Sequence, residues 1–162
     1  MTHCNAGWLA TVNWGTALAP VFKGTEKGLN IHMYVSETRP RNQGASLTAW
    51  ELKNQGIDYS VIVDNAGGYL LQEGYIDAVI VGADRITSTG DACNKIGTYL
   101  KALACKANNV PFFVAAPTST IDWEEKDAGN SIKIEHRNQS EVLTIAGLNS
   151  KGSLEKHLAL AP

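Results

Sequence analysis

Apolar residues in this chain fall into short continuous runs separated by stretches of helical spacing, and that rhythm predicts its architecture. The most marked run is Ala78-Val79-Ile80-Val81. A short β-branched run without polar alternation predicts a strand buried on both faces of a parallel sheet. Similar runs predict strands over residues 31–35, 59–63 and 111–115, with a further one over 131–135. Cys4-Asn5-Ala6-Gly7 has the form of a strand end passing into a tight turn. Between the runs, Leu9, Val12, Ala17, Leu18, Val21 and Phe22 have helical spacing. Gly15 and Pro20 interrupt it, which predicts a kinked or split helix over 8–27. A helix is predicted over 45–54, with Leu47, Trp50 and Leu52 facing inward. Asp64 is a plausible N-cap for a short helix running to Gln72 and stopped by Gly74. A helix over 92–107 would carry Asn94 and Lys95 in its first turn, and 151–160 is a candidate terminal helix. Strands recur about 25 to 30 residues apart, the spacing of βαβ units. The expected fold is therefore α/β: one Rossmann-like domain spanning 1–162, a parallel sheet with helices on both faces.

Composition narrows the function. The chain has 162 residues, 44% apolar and 19% charged, enough for one domain with a full core. Its formal net charge of −2 argues against a nucleic-acid footprint or a membrane surface. No apolar run approaches the roughly 20 residues that span a bilayer. Three cysteines without framework spacing, Cys4, Cys93 and Cys105, favour reduced thiols and a cytoplasmic location. No Gly-x-Gly-x-x-Gly follows a strand, and no metal-ligand spacing is present, so neither a nicotinamide or flavin cofactor nor a metal is expected.

Open α/β sheets bind ligands at the carboxyl ends of their strands. There, after 78–81, stand Gly82-Ala83-Asp84-Arg85, a polar loop over 87–91, and then Asn94 and Lys95. The stretch from Ser36 to Gly44 after the second strand is long, charged and polar, a loop type more often functional than idle. From position alone Asp84 suits a proton-transfer role or a turn cap paired with Arg85. Lys95 suits an anion at a helix start or a solvated pair with Asp91. Asp64-Asn65 and Glu37-Arg39 fit site-shaping and loop-fixing equally well. Trp8, Trp14, Trp50 and Trp123 suit core or interface positions, and Cys93 and Cys105 suit small buried hydrophobes.

A family likeness is carried by THCNAG (2–7), GTAL (15–18), ETRP (37–40), QGA (43–45), LTAWEL (47–52), DNAGG (64–68), DAVIVGADRI (77–86), GDACNKIGTY (90–99) and PFFVAAPTSTID (111–122). On these blocks the chain resembles the carboxyl-terminal catalytic domain of the methylthioribose-1-phosphate isomerase family. Ribose-1,5-bisphosphate isomerase and the regulatory subunits of the translation initiation factor 2B exchange factor share several of them. The family has an amino-terminal domain that holds the substrate phosphate through an Arg-Gly-Ala motif and a further arginine. That domain has no counterpart here, and the ending LNSKGSLEKHLALAP (148–162) departs from the family pattern. A fragment or a shortened relative is the expectation, inactive or very slow when alone.

The resemblance implies conversion of an aldose 1-phosphate to a ketose 1-phosphate without a cofactor, by two acid/base groups. It implies Cys4 and Asp84 as the catalytic pair, and Gln43, Asn94 and Lys95 as contacts to a sugar-phosphate substrate. Asp84 would move protons at the oxygens, a role needing a raised pKa that an apolar strand end could supply. Cys4 would move the carbon-bound proton or stabilise the enolate, its thiol lowered by a following helix terminus. Relatives of this kind look dimeric through this domain, so a homodimer is expected. A regulatory binding module of the translation-factor kind, or an inactive fragment, is the competing reading.

Overall fold

The computed structural model describes residues 1–127, 129, 132, 134 and 136–158. It shows a mixed α/β fold with parallel and antiparallel sheets and flanking helices. Strands β1 (His32–Ser36) and β2 (Asp58–Ile62) pair in parallel, with His32 opposite Asp58 and Ser36 opposite Ile62. Strands β3 (Val79–Val81) and β6 (Phe112–Val114) form a second parallel pair. The first residues of the chain join the two pairs. Thr2 N–H donates to Tyr34 O at 2.9 Å, and Ser36 N–H returns a bond to Thr2 O at 3.1 Å. On the other side the Met1 ammonium donates to Ala78 O at 2.8 Å, and Ile80 N–H donates to Met1 O at 3.0 Å. Cys4 therefore leaves the sheet beside the ends of β1 and β3.

Side chains alternate across a strand, and β1 uses both faces. Met33 and Val35 join a core with Leu18, Val21 and Phe22 of α1 (Ala19–Glu26) and Leu52 of α2 (Ala49–Asn54). Tyr34 packs on the opposite core, built from Met1, Val79, Val81, Leu71 of α3 (Ala66–Gln72) and Cys105 of α4 (Thr98–Ala107). Val79 and Val81 are fully buried, as their apolar run predicts. A π-helical turn, Gly44–Thr48, leads into α2. It packs so closely on the end of β1 that a Cβ on Gly44 would lie 1.7 Å from Ser36 O, which requires glycine.

Several expectations are corrected. Helix α1 begins only at Ala19, with Pro20 in its first turn, where a missing N–H costs nothing. Residues 8–18 instead form turns. Leu47 and Trp50 are exposed, and of the three residues expected to face inward only Leu52 is buried. The sheet content is not purely parallel: β4 (Arg85–Thr87) pairs antiparallel with β5 (Ala92–Cys93) and in parallel with β7 (Ile121–Asp122). That pairing pushes the start of α4 to Thr98, behind Gly97 at φ 99°. In place of the terminal helix, β8 (Thr144–Leu148) and β9 (Leu154–Leu158) form an antiparallel hairpin after a helical turn over Ser140–Leu143. Its turn is closed by Asn149 and Ser153, with Gly152 at φ 75°, turn chemistry that outweighs the weak helical pattern. Residues 131, 133 and 135 of the strand expected over 131–135, and the end of the expected terminal helix, lie outside the described residues.

Candidate functional site

Cys4 is the best-anchored residue of the site. Its N–H donates to Thr38 Oγ1 at 2.8 Å, and its carbonyl accepts from Thr48 Oγ1 at 2.6 Å. Its backbone has φ 64°, a left-handed conformation uncommon for a non-glycine residue. Thr38 is also left-handed, at φ 66°, a genuine outlier for a β-branched residue. Each such residue costs about 1–3 kcal/mol and persists only where its surroundings over-determine it. Thr38 meets that condition: its N–H reaches Asp64 Oδ1 at 2.9 Å, its hydroxyl donates to Ser36 O at 3.0 Å, and its carbonyl accepts from Asn42 N–H at 2.8 Å. The next residue is fixed from α2. Fully buried Glu51 accepts from Asn5 Nδ2, Trp8 N–H and Leu9 N–H at 2.9, 3.0 and 3.1 Å. This is why residues 5–9 turn rather than start a helix.

The thiol is therefore not at a helix terminus, and the expected lowering of its pKa is reversed. Burial pushes the Cys4 thiol up, and Asp84 adds to this. The Asn5 backbone N–H and the Lys95 charge pull the other way. At neutral pH the group carries its proton.

Two cavities meet at the other predicted residues. The smaller, about 170 Å³, is walled by Cys4, Asn5, Asp84 and Asn94, with Gly82 and Ala115 among the small residues completing it. The larger, about 530 Å³, is walled by Gln43, Asp84, Asn94 and Lys95, with Arg41 and Arg137. Asp84 and Asn94 belong to both. Cys4, Gln43, Asp84, Asn94 and Lys95 thus gather at one place. Asp84 is exposed, so the apolar burial expected around its carboxyl is not present; its N–H is tied to Cys93 O at 2.8 Å. Asn94 and Lys95 precede α4 rather than lying in its first turn. Asn94 Nδ2 donates to Thr98 Oγ1 at 3.0 Å, and Lys95 O accepts from the Thr98 hydroxyl at 2.7 Å. Gln43 Oε1 is buried with no hydrogen-bond partner among the described residues.

The larger cavity is basic. Arg85 is paired with Asp122 at 3.0 Å and Arg137 with Glu141 at 2.7 Å. Arg41 and Lys95 have no ion-pair partner among the described residues. Both act at longer range on the Glu141 carboxylate, and two cations without a close ion pair facing one cavity suit a phosphate. Sequence reasoning missed Arg41, whose only signal was its place in the charged loop after β1, and Arg137. It also missed the buried cluster behind Cys4. His3 is fully buried, with Nε2 2.7 Å from Ile96 O, and burial, with nearby Lys101, holds its pKa down. Lys101 is buried too and lowered by burial, its ammonium 3.4 Å from Asp64 O. Asp64 is not a helix cap: its carboxylate receives Thr38 N–H and Arg39 N–H, and Asn65 precedes α3.

With this geometry in place, a model of the initiation factor 2 subunit family matches residues 1–157. The chain belongs to that family. A curated family relative, methylthioribose-1-phosphate isomerase of Rhodospirillum rubrum, is 61% identical over 155 residues, covering 96% of this chain and 40% of that protein. Among solved structures, the family fold is shared with 5-methylthioribose 1-phosphate isomerase from Pyrococcus horikoshii OT3 at TM-score 0.85 and 48% identity, over 88% of this chain and 40% of that one. It is shared equally with translation initiation factor eIF-2B, subunit delta, from A. fulgidus, at TM-score 0.82 and 50% identity, over 88% and 41%. The chain spans about two-fifths of the length of each of these relatives. Overall likeness to family structures does not separate the isomerase from the initiation-factor relatives, so the choice rests on the site.

Proposed function

We propose that this chain is the acid/base part of an aldose–ketose isomerase that converts 5-methylthioribose 1-phosphate to 5-methylthioribulose 1-phosphate, the methionine-salvage reaction. The observation that carries the reading is that Cys4 and Asp84 wall one small cavity, which shares Asp84 and Asn94 with a basic cavity able to take a phosphate. A Rossmann-like arrangement supports it: the Thr2–Val35 bridge and the bonds of Met1 to Ala78 and Ile80 link the parallel pairs β1–β2 and β3–β6, and ligands of such sheets bind at the carboxyl ends of the strands.

Two groups balance the chemistry. Asp84 enters as the carboxylic acid, gives its proton to the ring oxygen as the bond from C1 to the ring oxygen breaks, and later takes the proton of the second hydroxyl. Cys4 enters as the thiolate, takes the hydrogen on the second carbon as a proton and returns it to the first carbon. The enol phosphate between these steps becomes the ketose 1-phosphate, and both side chains end as they began. Because burial raises its pKa, the Cys4 thiolate is scarce at neutral pH but strongly basic once formed. Gln43 and Asn94 hold hydroxyls, and Lys95 holds the phosphate. Lys95→Ala is then expected to raise KM more than it lowers kcat, because phosphate binding is common to ground and transition states. An equal fall in kcat and kcat/KM would place Lys95 at the reacting atoms instead.

The test is to follow 5-methylthioribose 1-phosphate by phosphorus NMR with the chain alone and with the chain joined to the part of the Rhodospirillum rubrum relative that it does not span. Ketose phosphate is expected from the joined protein, and little or none from the chain alone. Binding of the sugar phosphate without conversion would favour the regulatory reading, which the likeness to the A. fulgidus subunit supports. Faster conversion of ribose 1,5-bisphosphate would move the substrate from the methylthio sugar to the bisphosphate. A homodimer belongs to the same proposal, since Tyr99, Leu100 and Leu103 on α4 are 73, 63 and 45% exposed. Sedimentation at micromolar concentration should show a dimer, and a monomer throughout would count against it.

A further inference from the structure

Cys4 has both backbone polar groups satisfied by side-chain hydroxyls rather than by neighbouring backbone. Thr38 Oγ1 donates to Ser36 O and so must accept from Cys4 N–H. Thr48 Oγ1 accepts from Asn5 Nδ2 at 3.1 Å and so spends its proton on Cys4 O. Both threonines are fully buried. They come from different elements, the loop after β1 and the π-helical turn before α2, and close on the residue from two sides.

We propose that Thr38 and Thr48 are positioning residues that clamp Cys4 in its left-handed conformation and so aim its sulfur into the cavity beside Asp84. The role rests on the acid/base reading of Cys4 given above. Without the hydroxyls, an L-residue at φ 64° has no reason to stay there and relaxes to an ordinary conformation. The charged groups acting on Cys4 are Lys95 and Asp84, and neither touches the two hydroxyls; buried His3 does, its Nδ1 3.5 Å from Thr38 Oγ1. Loss of the clamp therefore acts through the backbone: the Asn5 N–H no longer supports the thiolate, and the sulfur moves away from the reacting carbon.

The test uses the full chain and compares Thr48→Val, which keeps the shape and removes the donor, with Thr48→Ser, which keeps the donor. The rate of iodoacetamide alkylation at Cys4 is followed against pH by peptide mass spectrometry. The valine variant should shift this profile to higher pH, and the serine variant should superimpose on the original chain. In the joined, active protein Thr48→Val should lower kcat about 10- to 100-fold with KM unchanged, the size of loss a small misplacement causes. Superimposed profiles for all three would overturn the clamp. Should Thr48→Val not fold, hydrogen exchange in the original chain decides: a protected Cys4 amide supports the clamp, and exchange at the rate of an open peptide refutes it. Expected alkylation and exchange with no isomerisation leave the clamp standing and overturn the enzymatic reading. Turnover that needs Cys4 but ignores Thr48→Val does the reverse.

Discussion

Replacing Asp84 by asparagine is expected to slow isomerisation by at least about 100-fold, the lower end of what general acid–base catalysis supplies, while substrate affinity stays nearly unchanged. The amide keeps the shape of the carboxylate and loses only its ability to exchange a proton. The structural background makes the result clean. Asp84 is exposed, and the one hydrogen bond that fixes it to β5 runs from its backbone N–H, which the substitution leaves in place. Exposed changes of this kind usually alter stability by less than about 0.5 kcal/mol, so a lost rate cannot be ascribed to a lost fold. Comparing kcat and KM for the joined protein and its Asp84→Asn variant, with a thermal melt of each, checks this. Full activity in the variant would remove Asp84 from the mechanism.

Cys4→Ser should cost a similar factor, about 100-fold or more. A hydroxyl is a far weaker acid than a thiol and is almost never available as its conjugate base. Serine fits the same place and keeps both backbone bonds to Thr38 and Thr48, so the loss isolates the sulfur. The original protein carries a further signature. Burial holds the Cys4 thiol above the ordinary range, so the reactive thiolate grows with pH. Alkylation of Cys4 should therefore keep accelerating past about pH 8.5, where an ordinary cysteine would have titrated. Alkylation that levels off near neutrality would contradict a thiol raised by burial at this site.

The parts of the fold legible in the sequence are those governed by local pattern. Val79–Val81, His32–Ser36 and Asp58–Ile62 read as strands because their apolar runs are short and bounded, and α3 ends where Gly74 ends it. The stretch 8–18 misleads because its helical spacing loses to a distant carboxylate: Glu51 captures the amides of Trp8 and Leu9 from more than 40 positions away. The start of α4 misleads for a related reason. Ala92–Cys93 is drawn into a pair with β4, and the break is at Gly97, whose left-handed backbone was the available hint.

The site divides in the same way. The motifs single out Cys4, Gln43, Asp84, Asn94 and Lys95 as candidates, and these line two cavities that share Asp84 and Asn94. Thr38, Thr48 and Glu51 were not legible. Their importance lies in hydrogen bonds to a backbone far along the chain, and a buried threonine leaves no periodic trace in sequence. The direction of the Cys4 pKa failed for the same cause, since it hung on a helix that tertiary contacts prevent from forming there.

The central claim is that Cys4 and Asp84 act as one acid/base unit on one substrate, and a double-variant cycle tests it most directly. kcat/KM for 5-methylthioribose 1-phosphate is measured in the joined protein, in Cys4→Ser, in Asp84→Asn and in the two combined. Groups that serve the same reaction coordinate are strongly non-additive, so the double variant should be about as slow as the slower single one. Losses that multiply, with the double variant slower by the product of the two factors, would contradict a shared acid/base site.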